Sequence, residues 1–456
     1  MNARQMAEQI CAKLRDAGYQ ALFTGGCVRD LLLKRNPVDY DVATDARPEE
    51  VQRLFPESIA VGAQFGVIVV TGDDVQVEVA TFRSDLGYAD GRHPVAVKFS
   101  ATPEEDARRR DFTINGLMMD PRDGHVLGHV LDFVGGRADL AMGIVRAIGD
   151  PELRFDEDKL RMVRAVRFAA RFGYAIEAGT RAAIVKRARE IGQVSQERLR
   201  DELTKMLTEG AARRAFELLD ETGLLREMLP EISRMKGVAQ PPQFHPEGDV
   251  WVHTLLMLEQ LSAGCSPTLA WGVLLHDVGK PPTFRPPAGP NDRIRFDEHV
   301  EVGTRIAEEI CQRLRFSNGD TEQIALLVAN HLRFKDVAQM RASTLKRFIR
   351  LPRFEEHLEL HRLDCLSSHR DMTCYDFTQR FLADTPPEAV RPSRLLTGDD
   401  LKAMGYTPGP TFKEILRTVE DAQLEGKVQT HEQAVEMVRD AFPLSETRIS
   451  ERGNAQ

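Results

Sequence analysis

Leu22-Phe-Thr-Gly-Gly-Cys-Val-Arg-Asp-Leu-Leu-Leu33, followed by Pro37-Val-Asp-Tyr-Asp-Val-Ala-Thr44, is the stretch whose reading decides the fold. Ala21 to Phe23 is a short apolar run and predicts a strand. Gly25 and Gly26 allow a tight turn and a close approach of backbone to ligand that a Cβ would obstruct. Val28 to Leu33 resumes a helical pattern. Backbone N–H groups at such a strand-to-helix turn are a natural seat for phosphate. In Asp39-Tyr40-Asp41 the two carboxylates, at i and i+2 of a strand, point to one face. They repel each other unless a cation lies between them. A phosphate cradle beside a divalent-metal site is the equipment of two-metal phosphoryl transfer.

Gly66-Val-Ile-Val-Val-Thr and Val75-Gln-Val-Glu-Val-Ala-Thr-Phe extend this unit as two β-rich runs joined by Gly-Asp-Asp. Strict alternation in the second puts Val75, Val77 and Val79 on one face and Gln76 and Glu78 on the other. Glu78 is the candidate third carboxylate; an ordinary outward-facing glutamate on a half-exposed strand is the competing reading. Residues 1 to 18 read as a helix with Met6, Ile10 and Leu14 on one face and Gly18 at its end. Ala46 to Phe55 reads as a short helix with Pro48 near its start. Residues 84 to 106 are polar and irregular, and predict a mobile loop beside the site.

The chain has 456 residues, enough for several cores, and a net charge of −9. That balance argues against nonspecific coating of nucleic acid but not against a local basic groove. Between Arg154 and Arg214 basic residues do outnumber acidic ones, the expected footprint of an RNA-backbone surface. No apolar run approaches the ~20 residues that span a bilayer, so no membrane partner is expected. There is no signal-peptide pattern at the start, and the six cysteines have no paired spacing. Both point to a reducing, cytoplasmic setting.

The Gly-Gly-Cys-Val-Arg-Asp and Asp-Tyr-Asp-Val-Ala-Thr elements resemble the signature of the class II tRNA nucleotidyltransferase and bacterial poly(A) polymerase family. The resemblance covers about the first 210 residues. It implies an α+β fold, with a polymerase-β-like nucleotidyltransferase head (a mixed sheet with helices) ahead of an all-α neck and body. It also implies Asp39 and Asp41 as Mg²⁺ ligands, and Gly25, Gly26, Arg29 and Arg110 around the triphosphate of CTP or ATP. Arg108-Arg-Arg-Asp-Phe-Thr-Ile-Asn-Gly-Leu is similar to a second block of the family. There Arg109 and Arg110 neutralise triphosphate charge, and Asp111 and Asn115, four apart on one helix face, hold ribose hydroxyls. Asp132-Phe-Val-Gly-Gly-Arg matches a hinge-like element between head and neck. From Asp150 the pattern is continuous helix. Glu157-Asp-Lys-Leu-Arg-Met-Val-Arg-Ala-Val-Arg-Phe168 matches the family block in which Asp158 and Arg161, i and i+3, pair as a protein template. A carboxylate accepts from cytosine N4 or adenine N6 and an arginine donates to the ring acceptor beside it, which guanine and uracil cannot match. Arg164 is expected to bind phosphate or orient Asp158. Ser195-Gln-Glu-Arg-Leu-Arg-Asp-Glu-Leu opens a supporting helix.

Beyond Gly237 to Gln243, which reads as a linker, His253, His276-Asp277, His299, His331 and Asp364 gather on apolar segments. Imidazole with carboxylate suits a divalent transition metal such as Mn²⁺, Ni²⁺ or Fe²⁺, which activates water for phosphoester hydrolysis. The pattern resembles the HD phosphohydrolase superfamily: His253, His276, Asp277 and Asp364 match its core ligand order, and His299 and His331 stand where two-metal members carry extra histidines. The Pro-rich segment Pro281 to Pro290 reads as a loop at the mouth of that site.

Four units follow: a head at 1–150, a helical RNA-binding neck at 151–236, an all-α HD unit at 237–375, and a helical region with a polar tail at 376–456. The expected activity is template-independent addition of CCA, or part of it, to tRNA 3′ ends, with a second phosphohydrolase activity on 2′-phosphate or 2′,3′-cyclic phosphate. Poly(A) polymerase and A-only or CC-only enzymes are rivals within the fold; Val61-Gly-Ala-Gln-Phe-Gly-Val, where the poly(A) branch carries a basic segment, favours the tRNA enzyme. A metal phosphohydrolase with an RNA-binding head is the rival of another class. Oligomeric state is not legible.

Overall fold

Asn2 caps helix α1 (Ala3–Asp16) reciprocally with Gln5, and Met6, Ile10 and Leu14 are buried on one face. Gly18 turns the chain at φ +92° into β1 (Ala21–Thr24), all four residues of which are buried. In the computed structural model, which describes residues 1–444 apart from 63–65, 73–74, 89–93, 100–101, 122–127, 244 and 290–291, helix α2 (Gly26–Leu32) follows β1. Strand β2 is Asp41–Thr44 and α3 is Pro48–Leu54. Then come β3 (Ser58–Gly62), β4 (Val67–Thr71) and β5 (Gln76–Thr81).

The 84–106 stretch, expected to be an irregular loop, instead forms an antiparallel ribbon of β6 (Arg83–Tyr88) and β7 (Pro94–Phe99), then α4 (Pro103–Arg108). The second strand, Pro94-Val-Ala-Val-Lys-Phe99, is largely apolar and carries a β signal; the polar, Asp- and Gly-containing residues ahead of it are what make the stretch read as a loop. Strands β8 (Met118–Asp120) and β9 (His129–Leu131) complete the sheet. Its order is β3-β4-β5-β2-β1-β8-β9. All pairs are antiparallel except β2 with β5, which run parallel with Asp41 opposite Glu78. Phe23, Val42 and Val79 are fully buried behind that register.

After the sheet, helix α5 (Gly136–Met142) starts at the second Gly-Gly pair. The Asp132 carboxylate accepts from the N–H groups of Val134, Gly135, Gly136 and Arg137 at 2.8 to 3.2 Å, so the turn is a capping device built on one side chain. The helix expected to run on from Asp150 is two helices, α6 (Pro151–Glu157) and α7 (Leu160–Phe172). Asp158 breaks it: at φ −153° and ψ 108° it is extended, and its side chain accepts from the N–H of Leu160 at the start of α7. Aspartate competes with the helical backbone in this way, so it favours helix starts over interiors. Helices α8 (Ala178–Arg187), α9 (Gln196–Thr208) and α10 (Ala212–Glu221) complete the neck.

The chain divides into two compact units that interleave in sequence. The first gathers Met1–Ala239, Asp249–Leu274 and Glu308–Asn318; the second gathers Gln240–Gly248, Leu275–Ala307 and Gly319–Gln456. The described part of the second unit is helical. One of its cores lies around Phe334, Phe348 and Phe354, and another around Leu401, Ile415 and Val438. Pro281 and Pro282, expected in a loop, belong to a short helix, Lys280–Thr283. Thr397 caps the helix Gly398–Ala403 reciprocally with Asp400, as its sequence suggests. The polar tail lies outside the described residues. No helix among those described is long and apolar enough to cross a membrane.

Replacing Asp132 by alanine strands four N–H groups at the start of α5. Asp132→Ala should lower stability by about 1–2 kcal/mol in urea titration, with Asp132→Asn recovering most of the loss.

Candidate active site and second metal centre

The head and neck of the first unit enclose a cavity of about 920 Å³, and every sequence-predicted residue of this half lies on its wall: Gly25, Gly26, Arg29, Asp39, Asp41, Glu78, Arg109, Arg110, Asp111, Asn115, Asp158, Arg161 and Arg164. Tyr40, between the two aspartates, turns the other way; it is buried, with its ring edge-on to Phe23 at 5.4 Å. The parallel register of β2 and β5 sets Glu78 beside Asp41. Burial first, then Glu78 and Asp39, push the Asp41 carboxyl up to about 6 against the pull of Arg110. Asp39, Asp41 and Glu78 offer oxygen donors alone, which suits a hard divalent cation.

Gly25 is required by shape and by conformation. Its φ is +73°, and a Cβ there would come 2.9 Å from Arg110 Nη1 and 3.9 Å from Asp41 Oδ2. Its N–H does not serve as a free phosphate donor, because it donates to the carbonyl of Leu117 at 3.1 Å. The glycine pair therefore contributes clearance. Anion-binding charge comes from Arg109 and Arg110, which both pair with the buried Asp106 at 2.7 and 3.0 Å. Asp106 was not singled out from the sequence; its position three and four residues ahead of the two arginines is the signal that could have found it.

Asp111 and Asn115 do meet, but not on a helix. Asp111 lies in a bend and Asn115 in a 3₁₀ turn, Thr113–Asn115, and the Asn115 amide donates to Asp111 at 3.0 Å. A polar relay runs on in both directions. Arg29 donates to Asn115 at 2.6 Å and pairs with Asp30 at 2.8 Å, while its guanidinium lies over Phe172 at 4.7 Å. Arg29 thus holds Asn115 besides lining the cavity. At the other end Arg164 grips Asp111 at 2.7 Å. Burial would raise the Asp111 carboxyl, but Arg164 and Asn115 outweigh it and hold it at about 2.

Asp158 and Arg161, expected to pair with each other, have separate partners. Asp158 is gripped by Arg198 of α9 at 2.6 and 3.2 Å, a two-point contact. Arg161 pairs with Glu157 and donates to the carbonyl of Arg154 at 2.9 Å. The reason is the break in the helix: outside regular helix, an i and i+3 spacing no longer fixes a shared face. Arg164 is likewise taken up by Asp111, with Glu202 at 3.5 Å. Arg198 and Glu202 come from the Glu-Arg-x-x-x-Glu-Leu element, and Glu202 also holds the buried Arg167 at 2.7 Å. Arg198, on the cavity wall, went unassigned from the sequence, although its motif was noted.

In the second unit His276, Asp277, His299 and His331 converge. Asp277 Oδ2 is 3.1 Å from His276 Nε2 and 2.7 Å from Lys280 Nζ, and Oδ1 faces His331 Nε2 at 3.9 Å. The carbonyls of Phe296 and Val328 accept from Nδ1 of His299 and His331, each at 2.7 Å. The tautomer is thereby set: Nε2 of each ring carries the lone pair, is buried and makes no hydrogen bond. A metal-ligating histidine has this arrangement. Burial draws both imidazoles below their ordinary range, His331 to about 4, so they stay neutral and able to ligate. Burial opposes ionisation of Asp277, yet His276 and Lys280 keep its carboxyl well below the usual range. Asp277, His299 and His331 form one candidate ligand group. Gly279 lets them meet, since a Cβ there would fall 2.0 Å from the carbonyl of His299. His253 is fully buried on the helix Val250–Glu259. Asp364, expected as the last core ligand, is half-buried on the helix Phe354–Ser367 and belongs to no ligand group among the described residues.

Residues 21–146 match the Poly A polymerase head domain, residues 173–236 the probable RNA and SrmB-binding site of polymerase A, and residues 250–365 the HD domain. Fold and site together define a nucleotidyltransferase with a helical RNA-binding body and an HD domain. A CCA-adding enzyme of Geobacillus sp. (strain WCH70) is 32% identical over 438 residues, covering 94% of this chain and 95% of that protein. The crystal structure of the Bacillus stearothermophilus CCA-adding enzyme in complex with CTP aligns with a TM-score of 0.70 and 26% identity, over 97% of this chain and 99% of that one. The Thermotoga maritima CCA-adding enzyme complexed with tRNA shares the fold, at a TM-score of 0.57 and 20% identity over 96% and 95% of the two chains. The chain belongs to the CCA-adding enzyme family.

Between about pH 4 and pH 6 the folded protein keeps a proton at Asp41 that the unfolded chain has released, so this group's contribution to stability falls as pH rises through that window. Asp41→Asn should remove the slope. Without metal, the variant should gain roughly 2 kcal/mol on the wild type between pH 4 and pH 7 in urea titrations, and Mg²⁺ should shrink the gap.

Proposed function

We propose that this chain adds CCA, in whole or in part, to the 3′ ends of tRNA from CTP and ATP. The observation that carries this reading is the convergence of Asp39, Asp41 and Glu78 with Asp158 and Arg161 on one cavity. Asp39 and Asp41 would hold Mg²⁺ in a two-metal arrangement beside Glu78; bound there, it lowers the pKa of the attacking 3′-hydroxyl and offsets charge on the pyrophosphate leaving group. Arg109 and Arg110, aligned by Asp106, bind the triphosphate, and Gly25 leaves it room. Asp111 and Asn115 bind ribose hydroxyls. Asp158 accepts from the exocyclic amine of cytosine or adenine while Arg161 donates to the neighbouring ring acceptor. Uracil and guanine leave these groups unpaired, which costs several kcal/mol by the logic of hydrogen-bond-specific sites. Arg198 offsets the charge of Asp158 so that the carboxylate is tolerated in the cavity.

Three tRNA transcripts, ending before CCA, after C and after CC, test this with labelled CTP, ATP or both. Three additions that then stop are expected. A long A ladder would reassign the chain as a poly(A) polymerase, and A added only after CC would mean a partial enzyme. Asp39→Ala should lower addition at least a thousandfold; addition that survives it would remove these carboxylates from catalysis and favour a phosphohydrolase with an RNA-binding head.

A second activity is proposed for the HD unit: metal-dependent hydrolysis of 2′-phosphate or 2′,3′-cyclic phosphate at RNA ends. It is favoured by the lone pairs at Nε2 of His299 and His331 beside an ionised Asp277. This donor set suits Mn²⁺, Ni²⁺ or Fe²⁺, and His276, His253 and Asp364 are the further ligand candidates. Asp277→Ala should abolish phosphate release and tight Ni²⁺ binding by calorimetry while leaving nucleotide addition within twofold.

A further inference from the structure

Arg154 lies on α6 with its side chain only 14% exposed, and it is not on the wall of the nucleotide cavity. Its guanidinium nonetheless reaches the backbone of one residue that is, Arg109, and of Arg108 and Ile148 near it. Nη2 donates to the carbonyl of Arg108 at 2.9 Å, Nη1 to the carbonyl of Arg109 at 3.1 Å, and Nε to the carbonyl of Ile148 at 3.1 Å. Nη1 also pairs with Glu157 at 2.9 Å. Arg161, on the cavity wall, uses the same acceptors: Glu157 Oε2, and the Arg109 carbonyl at 3.5 Å. It donates as well to the carbonyl of Arg154 itself. One carboxylate and one carbonyl are thus shared by two guanidiniums, one placed to read the base and the other spanning the backbone of the arginine segment. A guanidinium is planar and rigid, so a shift of the Arg108–Arg109 backbone cannot be absorbed without moving Arg154, Glu157 and hence Arg161.

We infer that Arg154 is a positioning residue that couples engagement of the triphosphate by Arg109 and Arg110 to selection of the base by Asp158 and Arg161. This rests on the roles proposed above for those residues. A correct base seats Arg161, Arg161 fixes the Arg109 carbonyl, and the arginine segment is then held in register for the triphosphate. A wrong base displaces Arg161 and loosens the same frame. Selectivity is therefore expressed partly in the reaction of the triphosphate and not only in binding of the base. A purely structural Arg154, satisfying carbonyls that would otherwise lack a donor, would lower stability and slow correct and incorrect nucleotides alike.

The test compares kcat/KM for CTP and UTP on full-length protein with a tRNA transcript ending before CCA. Wild type, Arg154→Met, Arg154→Lys and Arg161→Gln are measured, with Tm recorded for each. Arg154→Lys keeps the charge and part of the donor set, so a folded variant is available if Arg154→Met is too unstable. Expected is a loss of at least tenfold in the CTP-to-UTP ratio in Arg154→Met, a smaller loss in Arg154→Lys, and the loss lying more in kcat than in KM. A ratio within twofold of wild type in both variants, whatever the fall in Tm or kcat, would overturn the coupling while Arg161→Gln still lost discrimination. An unchanged ratio in Arg161→Gln would overturn the base-reading role and the coupling with it.

Discussion

Two carboxylates are locked side by side by a strand register, and the first unit is arranged around that constraint. Asp41 and Glu78 face each other because β2 and β5 run parallel, and Asp39 joins them from the segment just before β2. Like charges at such range are costly unless a cation is supplied. The protein supplies cations at a distance, from Arg109 and Arg110, and leaves the near space open. Gly25 keeps it open, since any side chain there would meet Arg110. Burial, with Glu78 and Asp39 beside it, raises the Asp41 carboxyl to about 6, and a cation bound there would favour its ionised form.

Away from the carboxylates, the cavity is bordered by ion pairs in which several acidic groups serve more than one arginine. Asp106 aligns two arginines, Arg198 holds Asp158, Glu157 holds Arg161, and Arg164 holds Asp111. Isolated buried pairs add little net stability, because desolvation offsets their attraction. Their value here is positional: paired guanidiniums and carboxylates hold one another's orientation before any substrate arrives, and preorganised charge is what a phosphoryl-transfer site needs. Arg29 and Arg35 over Phe172 extend that order into the packing between head and neck.

The second unit obtains preorganisation from backbone carbonyls together with one buried ion pair. Carbonyls of Phe296 and Val328 choose the tautomers of His299 and His331, and Lys280 and His276 keep Asp277 ionised. Histidine with carboxylate here, against carboxylates alone in the head, gives the two candidate sites different donor sets.

Much of this was legible in the sequence, because the residues that do chemistry are of types with few other uses in combination. Gly-Gly followed by Asp-x-Asp, Arg-Arg-Asp, and His-Asp on an apolar helix marked candidate sites, and the head and neck residues so marked all reach one cavity. Glu78 could be proposed from alternation, but only the parallel pairing put it beside Asp41, and pairing partners are non-local. The ribbon of Arg83–Tyr88 and Pro94–Phe99 was missed because the polar first strand outweighed the apolar run Val95-Ala-Val97 in the second. Asp158 was misplaced for a related reason: its block reads as one helix, and a single side chain capping Leu160 divides it in two. Sequence determined which charged groups this protein owns and roughly where along the chain they cluster. Local spacing already offers Asp106 to Arg109 and Arg110 and Glu157 to Arg161; tertiary structure alone decided the long-range pairs, Arg164 with Asp111 and Arg198 with Asp158, because these join backbone segments brought together from far apart in the chain.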